Sequence, residues 1–114
     1  TFEEPKNLSA LVSGMGDDFD CIIIDCLTLL IANLILAKNK EKAILEKFKV
    51  LLSRLSRKKA KVILVTNEVG LGIVPVSKLG REFRDIAGRI NQLAAKESGE
   101  VYFIAAGIPL KIKG

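Results

Sequence analysis

Apolar positions along this chain recur with two different periods. Ile44, Leu45, Phe48, Leu51, Leu52 and Leu55 fall on one stripe, with lysines and Arg54 opposite, which predicts an amphipathic helix over residues 41–57. A second stripe, Leu79, Phe83, Ile86, Ala87, Ile90, Leu93 and Ala94, predicts a long helix over about 78–97. Ser77, just after Pro75, can cap it, and Gly99 ends it. Other segments are short aliphatic runs. FDCIIID (19–25) and AKVILVT (60–66) read as fully buried strands, and EVYFIAA (100–106) as a third strand. Between the first two, CLTLLIANLILAK is too long and too rich in Leu and Ala to continue a strand, so a helix is expected over 27–37. Asn7 can cap a short helix at 7–14, and GIPLKIKG turns into a short edge strand, because Pro109 cannot donate to a central ladder. The order strand–helix–helix–strand–helix–strand predicts a single α/β domain over 1–114, an open, mainly parallel sheet with helices on both faces.

Composition narrows the function classes. The 114 residues are 49% apolar, enough for one core. The net charge of +5 suits an anionic ligand, but Lys38, Lys40, Lys42, Lys47, Lys49, Lys58 and Lys59 read first as one solvated helix face. One Tyr, five Phe and no Trp give little stacking surface, so no nucleic-acid partner is expected. The stretch 21–37 is interrupted by Asp25, Thr28 and Asn33, so no membrane span is expected, and the start, TFEEPKNLSA, is no signal peptide. Without histidine or a CxxC pair a zinc site is disfavoured, and Cys21 and Cys26 read as reduced, buried thiols. The chain does not begin with Met, so an upstream segment is expected.

Candidate chemistry gathers where strands end, since α/β folds bind ligands at the carboxyl rim of the sheet. VTNEVGLGIVP (65–75) stops a strand abruptly at Thr66-Asn67-Glu68 and continues with Gly70 and Gly72. Glu68 can orient water, Mg²⁺ or a substrate hydroxyl, or it can merely cap turn amides. Asp25, ending CIIID, can hold Mg²⁺ directly or through water, or be an ordinary exposed strand end. The helix KLGREFRDIAGRINQ carries a polar stripe of Arg81, Arg84, Asp85, Gly88, Arg89 and Gln92, in which Asp85 and Arg89 can pair at i, i+4. Gly88 in mid-helix costs about 1 kcal/mol against Ala, which close approach by a ligand or another chain would explain. No GxxxxGK[ST] phosphate loop occurs in these residues.

Together, IIIDCLTLLIANL, VTNEVGLGIVPVSKLGREFRDIAGRINQLAA and VYFIAAGIPLKIKG resemble the bifunctional adenosylcobinamide kinase / adenosylcobinamide-phosphate guanylyltransferase family, from about Glu3 to Gly114. The resemblance implies a P-loop NTPase (RecA-like) fold, a homotrimer, a cytoplasmic location and an enzyme of cobalamin biosynthesis. Such an enzyme phosphorylates adenosylcobinamide with ATP or GTP, then transfers GMP to the product through a guanylylated histidine. It also implies a Mg²⁺ role for Asp25, a catalytic role for Glu68, and nucleotide, substrate or interface roles for Thr66, Asn67, Gly70, Arg84, Asp85, Arg89 and Asn91. The family's amino-terminal P-loop unit and its histidine are not in these residues, so the chain is expected to hold the carboxyl-terminal two-thirds of the pattern and to be inactive alone. Two other classes stay open: a non-catalytic nucleotide-binding or oligomerisation module, and another P-loop kinase sharing only the α/β pattern.

Overall fold

The two helical stripes build the core. In the computed structural model, which describes residues 1–114, the first lies on helix α3 (Glu41–Ser56) and buries Ile44, Phe48, Leu51, Leu52 and Leu55. The second lies on α4 (Lys78–Glu97) and buries Ile86, Ala87, Ile90 and Ala94, with Phe83 and Leu93 at the margin. Its start is set by Ser77, whose Oγ accepts the Gly80 N–H at 3.0 Å. Pro75 folds back so closely on this turn that a Cβ at residue 80 would lie 2.7 Å from Pro75 Cβ, and only glycine leaves that room. Helix α2 (Leu27–Leu36) adds Leu27, Leu30, Ile31 and Leu34. Helix α1 (Leu8–Gly14) packs Val12 against α3, and Arg54 Nη1 ties it down by donating to Ser9 O at 2.7 Å. Asn7 occupies the cap position of α1 but makes no side-chain cap bond; Glu4 Oε1 instead accepts the Asn7 N–H at 2.7 Å. Burying each large side chain of this core contributes about 1.5–3 kcal/mol.

Strand β1 (Cys21–Asp25) pairs in parallel with β2 (Lys61–Val65), in the register Cys21↔Lys61 to Asp25↔Val65. Ile22 and Ile24 point into the helical core, whereas Ile23 is 63% and Ile63 40% exposed. Contrary to expectation the two strands are buried on one face only, because α2, α3 and α4 all cover the same side of the pair. The expectation of helices on both faces fails for the same reason. Both thiols are free, as expected, but Cys21 is exposed rather than buried, since it alternates onto the open face.

The third strand does not extend this sheet. β3 (Val101–Ala105) instead pairs antiparallel with β4 (Ile108–Lys113), forming a separate ribbon. Ala106 (φ 50°) and Gly107 (φ 76°) take positive φ at the two turn positions, as the tight hairpin turns that match strand twist require. The two-residue connection makes local pairing the cheaper choice, and each strand of the ribbon keeps an outer edge on which Pro109 is tolerated. Lys113 Nζ donates to Ala95 O at 2.8 Å and Lys96 O at 3.0 Å, setting a cation on the negative end of α4. The fold is therefore mixed α/β with a small parallel sheet, and no helix is long and apolar enough to cross a membrane.

Candidate functional site at the end of the parallel pair

Chain geometry puts Asp25 and Thr66 on one rim. Asp25 is aligned with Val65, the last residue of β2, and Thr66 follows immediately. The first turn of α2 brings Thr28 to this rim, and the middle of α4 brings Asn91. Thr66 Oγ1 donates to Asn91 Oδ1 at 2.7 Å, and the Thr28 and Thr66 hydroxyl oxygens are 3.3 Å apart. The Asn67 N–H donates to Thr28 Oγ1 at 2.9 Å, and Asn91 Nδ2 donates to Asn67 O at 2.9 Å. Three elements far apart in sequence are thus tied together by side chains around one residue, Asn67.

Beyond Asn67 the chain makes a single 3₁₀ turn at Val69–Leu71. Glu68 caps this turn, its Oε1 accepting the Gly70 N–H at 3.1 Å. Arg84 Nη2, one side of α4, donates to Gly70 O at 3.0 Å. Gly70 is therefore held from both sides. The loop that follows projects outward, with Ile73 96% and Val76 95% exposed, and Arg81 reaches back to Pro75 O at 3.3 Å.

Of the residues expected to form a site, Asp25, Thr66, Asn67, Glu68, Gly70, Arg84 and Asn91 converge on this rim and its loop. Asp85 and Arg89 do not join them, and they do not pair with each other. Arg89 Nη1 instead bonds Glu41 Oε1 in the first turn of α3, where a carboxylate is favoured by the helix dipole. Asp85 is exposed and makes no ion pair. A Cβ at Gly88 would meet nothing within 4 Å, so no close approach explains that glycine within this chain. Thr28 was not among the expected site residues. Its only signal was a hydroxyl interrupting an otherwise apolar helix.

The rim has no group of three or more His, Cys, Asp or Glu side chains arranged to hold a metal. Asp25, exposed and without an ion pair, is nevertheless a suitable hard-oxygen donor for Mg²⁺. Mg²⁺ takes one or two carboxylates and completes its shell with water and phosphate oxygens.

The sequence matches the family model described as cobinamide kinase / cobinamide phosphate guanyltransferase over residues 1–112. The chain belongs to the cobinamide kinase / cobinamide phosphate guanyltransferase family. It is 39% identical to the bifunctional adenosylcobalamin biosynthesis protein CobU of Salmonella typhimurium, over 95% of this chain and 66% of that protein. It is 38% identical to the protein of the same name from Escherichia coli, over 99% of this chain and 69% of that protein. Against the bifunctional adenosylcobalamin biosynthesis protein CobP of Pseudomonas aeruginosa the identity is 38%, over 100% of this chain and 65% of that protein. The chain thus spans about two thirds of the length of these family members, and every rim residue lies inside the matched region.

Proposed function

We propose that this chain is part of a bifunctional enzyme of cobalamin biosynthesis, which phosphorylates adenosylcobinamide with ATP or GTP and then transfers GMP from GTP to that phosphate. Family membership supports the pathway, and the convergence of Asp25, Thr66, Asn67 and Glu68 on one strand rim carries the assignment of the site. Asp25 would hold Mg²⁺, which supplies charge neutralisation on triphosphate oxygens when bound. Glu68 has one oxygen engaged by the Gly70 N–H, leaving Oε2 to accept a hydrogen bond from the substrate hydroxyl and orient it for attack. Arg84 spends one donor on Gly70 O and keeps the rest of its planar fork for phosphate oxygens. Asn91 steadies the loop beneath Glu68.

The complete enzyme is proposed to be a cytoplasmic homotrimer. The 114 residues by themselves are proposed to turn over neither step, because they contain no phosphate-cradling loop and no histidine to carry a nucleotide. The deciding test is Asp25→Asn in the full-length protein. Loss of adenosylcobinamide phosphorylation with an unchanged thermal melt is the expected result. Full activity in that variant would remove the metal role from Asp25.

A further inference from the structure

We propose that Thr28 and Asn91 are positioning residues for this reaction, acting through one closed ring of hydrogen bonds, a proposal that rests on reading the β2 rim as the catalytic edge. Thr66 has a single hydroxyl proton, and Asn91 Oδ1 can only accept, so their 2.7 Å bond is donated by Thr66. The 3.3 Å contact between the two hydroxyls is then donated by Thr28. Thr28 Oγ1 in turn accepts the Asn67 N–H, and Asn91 Nδ2 donates to the Asn67 carbonyl. The four bonds run in one sense, from the Asn67 N–H around to the Asn67 C=O. Hydrogen bonds aligned in this way polarise and strengthen one another. The ring also fixes the Asn91 amide, since the flipped orientation would set its oxygen against the Asn67 carbonyl, two acceptors face to face.

The consequence falls on Glu68. The Asn67 N–H belongs to the peptide unit before Asn67, and its C=O to the unit after. Each unit is planar and rigid, and the second one contains the Glu68 nitrogen. Thr28 and Asn91 therefore set the direction from which the Glu68 side chain departs, while the Gly70 N–H fixes its far end. Neither residue touches the reacting atoms in this scheme. A displacement of about 1 Å at a catalytic group can cost about a hundredfold in rate.

The test compares Thr28→Val, which keeps the shape and removes the hydroxyl, with Thr28→Ser, which keeps the hydroxyl, in the full-length protein. Expected for Thr28→Val is a fall in kcat for adenosylcobinamide phosphorylation of about tenfold to a hundredfold, with KM for the triphosphate within about threefold. Thr28→Ser should recover kcat to within about threefold. In parallel, the Asn67 amide should lose protection from hydrogen exchange in Thr28→Val, which removes its acceptor, while the Lys61–Val65 amides keep theirs, a readout independent of activity. If Thr28→Val folds poorly, Asn91→Leu, which removes the bond to the Asn67 carbonyl, should show the same fall in kcat with KM for the triphosphate within about threefold. Unchanged kcat and Asn67 protection in Thr28→Val would overturn the proposal, and so would equal losses in the Val and Ser variants. Asp25→Asn and Glu68→Gln serve as controls: if both stay fully active, it is the reading of the rim as catalytic that fails, whatever the exchange data show about the ring.

Discussion

Helix α4 contains two glycines whose replacement by alanine should move stability in opposite directions. At Gly88 the backbone is helical and a Cβ would meet nothing within 4 Å, so only the intrinsic helix term changes. Alanine is favoured there by about 1 kcal/mol, roughly a fivefold gain in the folding equilibrium constant. For a domain of this size the melting temperature should rise by roughly 3–5 °C. At Gly80 a Cβ would sit 2.7 Å from Pro75 Cβ and 2.9 Å from Ser77 Oγ, the atom that caps the helix. Pro75 is ring-locked and cannot rotate aside, so the cap must open. Losing a serine cap costs about 1 kcal/mol, and the displaced proline adds to it. The two variants should therefore differ by about 2 kcal/mol or more, roughly thirtyfold in the folding constant. Urea melts followed by far-ultraviolet circular dichroism measure this directly, with the slope against urea expected to stay constant. A destabilised Gly88→Ala, especially one with a smaller native mass, would show a neighbour seated on Gly88 and refute the claim that this position is open. A Gly80→Ala as stable as the parent would refute the tight approach of Pro75.

The remaining expectations concern charge. The Arg89–Glu41 pair is half exposed, 54% and 37% for the two side chains, so Glu41→Gln should cost no more than about 1 kcal/mol, and less in high salt. Asp85→Asn, which breaks no ion pair, should stay within about 0.5 kcal/mol in the same melts. On the hairpin, the Tyr102 hydroxyl donates to Glu100 Oε2 at 2.7 Å and, with Lys111 nearby, holds the Glu100 carboxyl below its ordinary 4.5. The same bond pushes the Tyr102 phenol above 10.0. Glu100 therefore stabilises the hairpin above pH 4.5, and that contribution is lost as pH falls through its depressed folded-state value; Tyr102 contributes below pH 10.0 and loses this as pH rises through its elevated value. Carboxyl NMR titration of Tyr102→Phe should return Glu100 toward 4.5, and an unmoved midpoint would count against the hydrogen bond as the main cause.

Helices were legible in this sequence because their signals are local. The α3 stripe and the Ser77 cap are read within a few residues of one another, and the structure places both helices within a residue of expectation. Strand burial was not legible. CIIID says that a strand wants apolar surroundings, but whether both faces are covered depends on where distant helices pack, and here they share one side. The third strand was assigned correctly as a strand and wrongly as part of the parallel sheet, because pairing partners are a matter of connection length and not of composition. The rim divided in the same way. Glu68 and Asn67 stood out as polar residues ending an aliphatic run. Thr28 lies 39 residues from Asn67, and nothing in its own neighbourhood announces the bond between them. Arg89 had an acid within one turn, yet the carboxylate it found belongs to another helix.

The register of the parallel pair bears on how the chain folds. Cys21 and Lys61 are neighbours in space but 40 residues apart in sequence, with α2 and α3 between them. Closing a loop of that length costs entropy before any strand hydrogen bond repays it. The hairpin of β3 and β4 faces no such delay, since two residues connect it, and hairpins of this kind close in about 1–10 μs. On loop-entropy grounds the parallel pair is expected to form after the helices collapse on Ile22 and Ile24, and the rim that brings Asp25 beside Thr66 is expected to assemble late, on a helical core already in place.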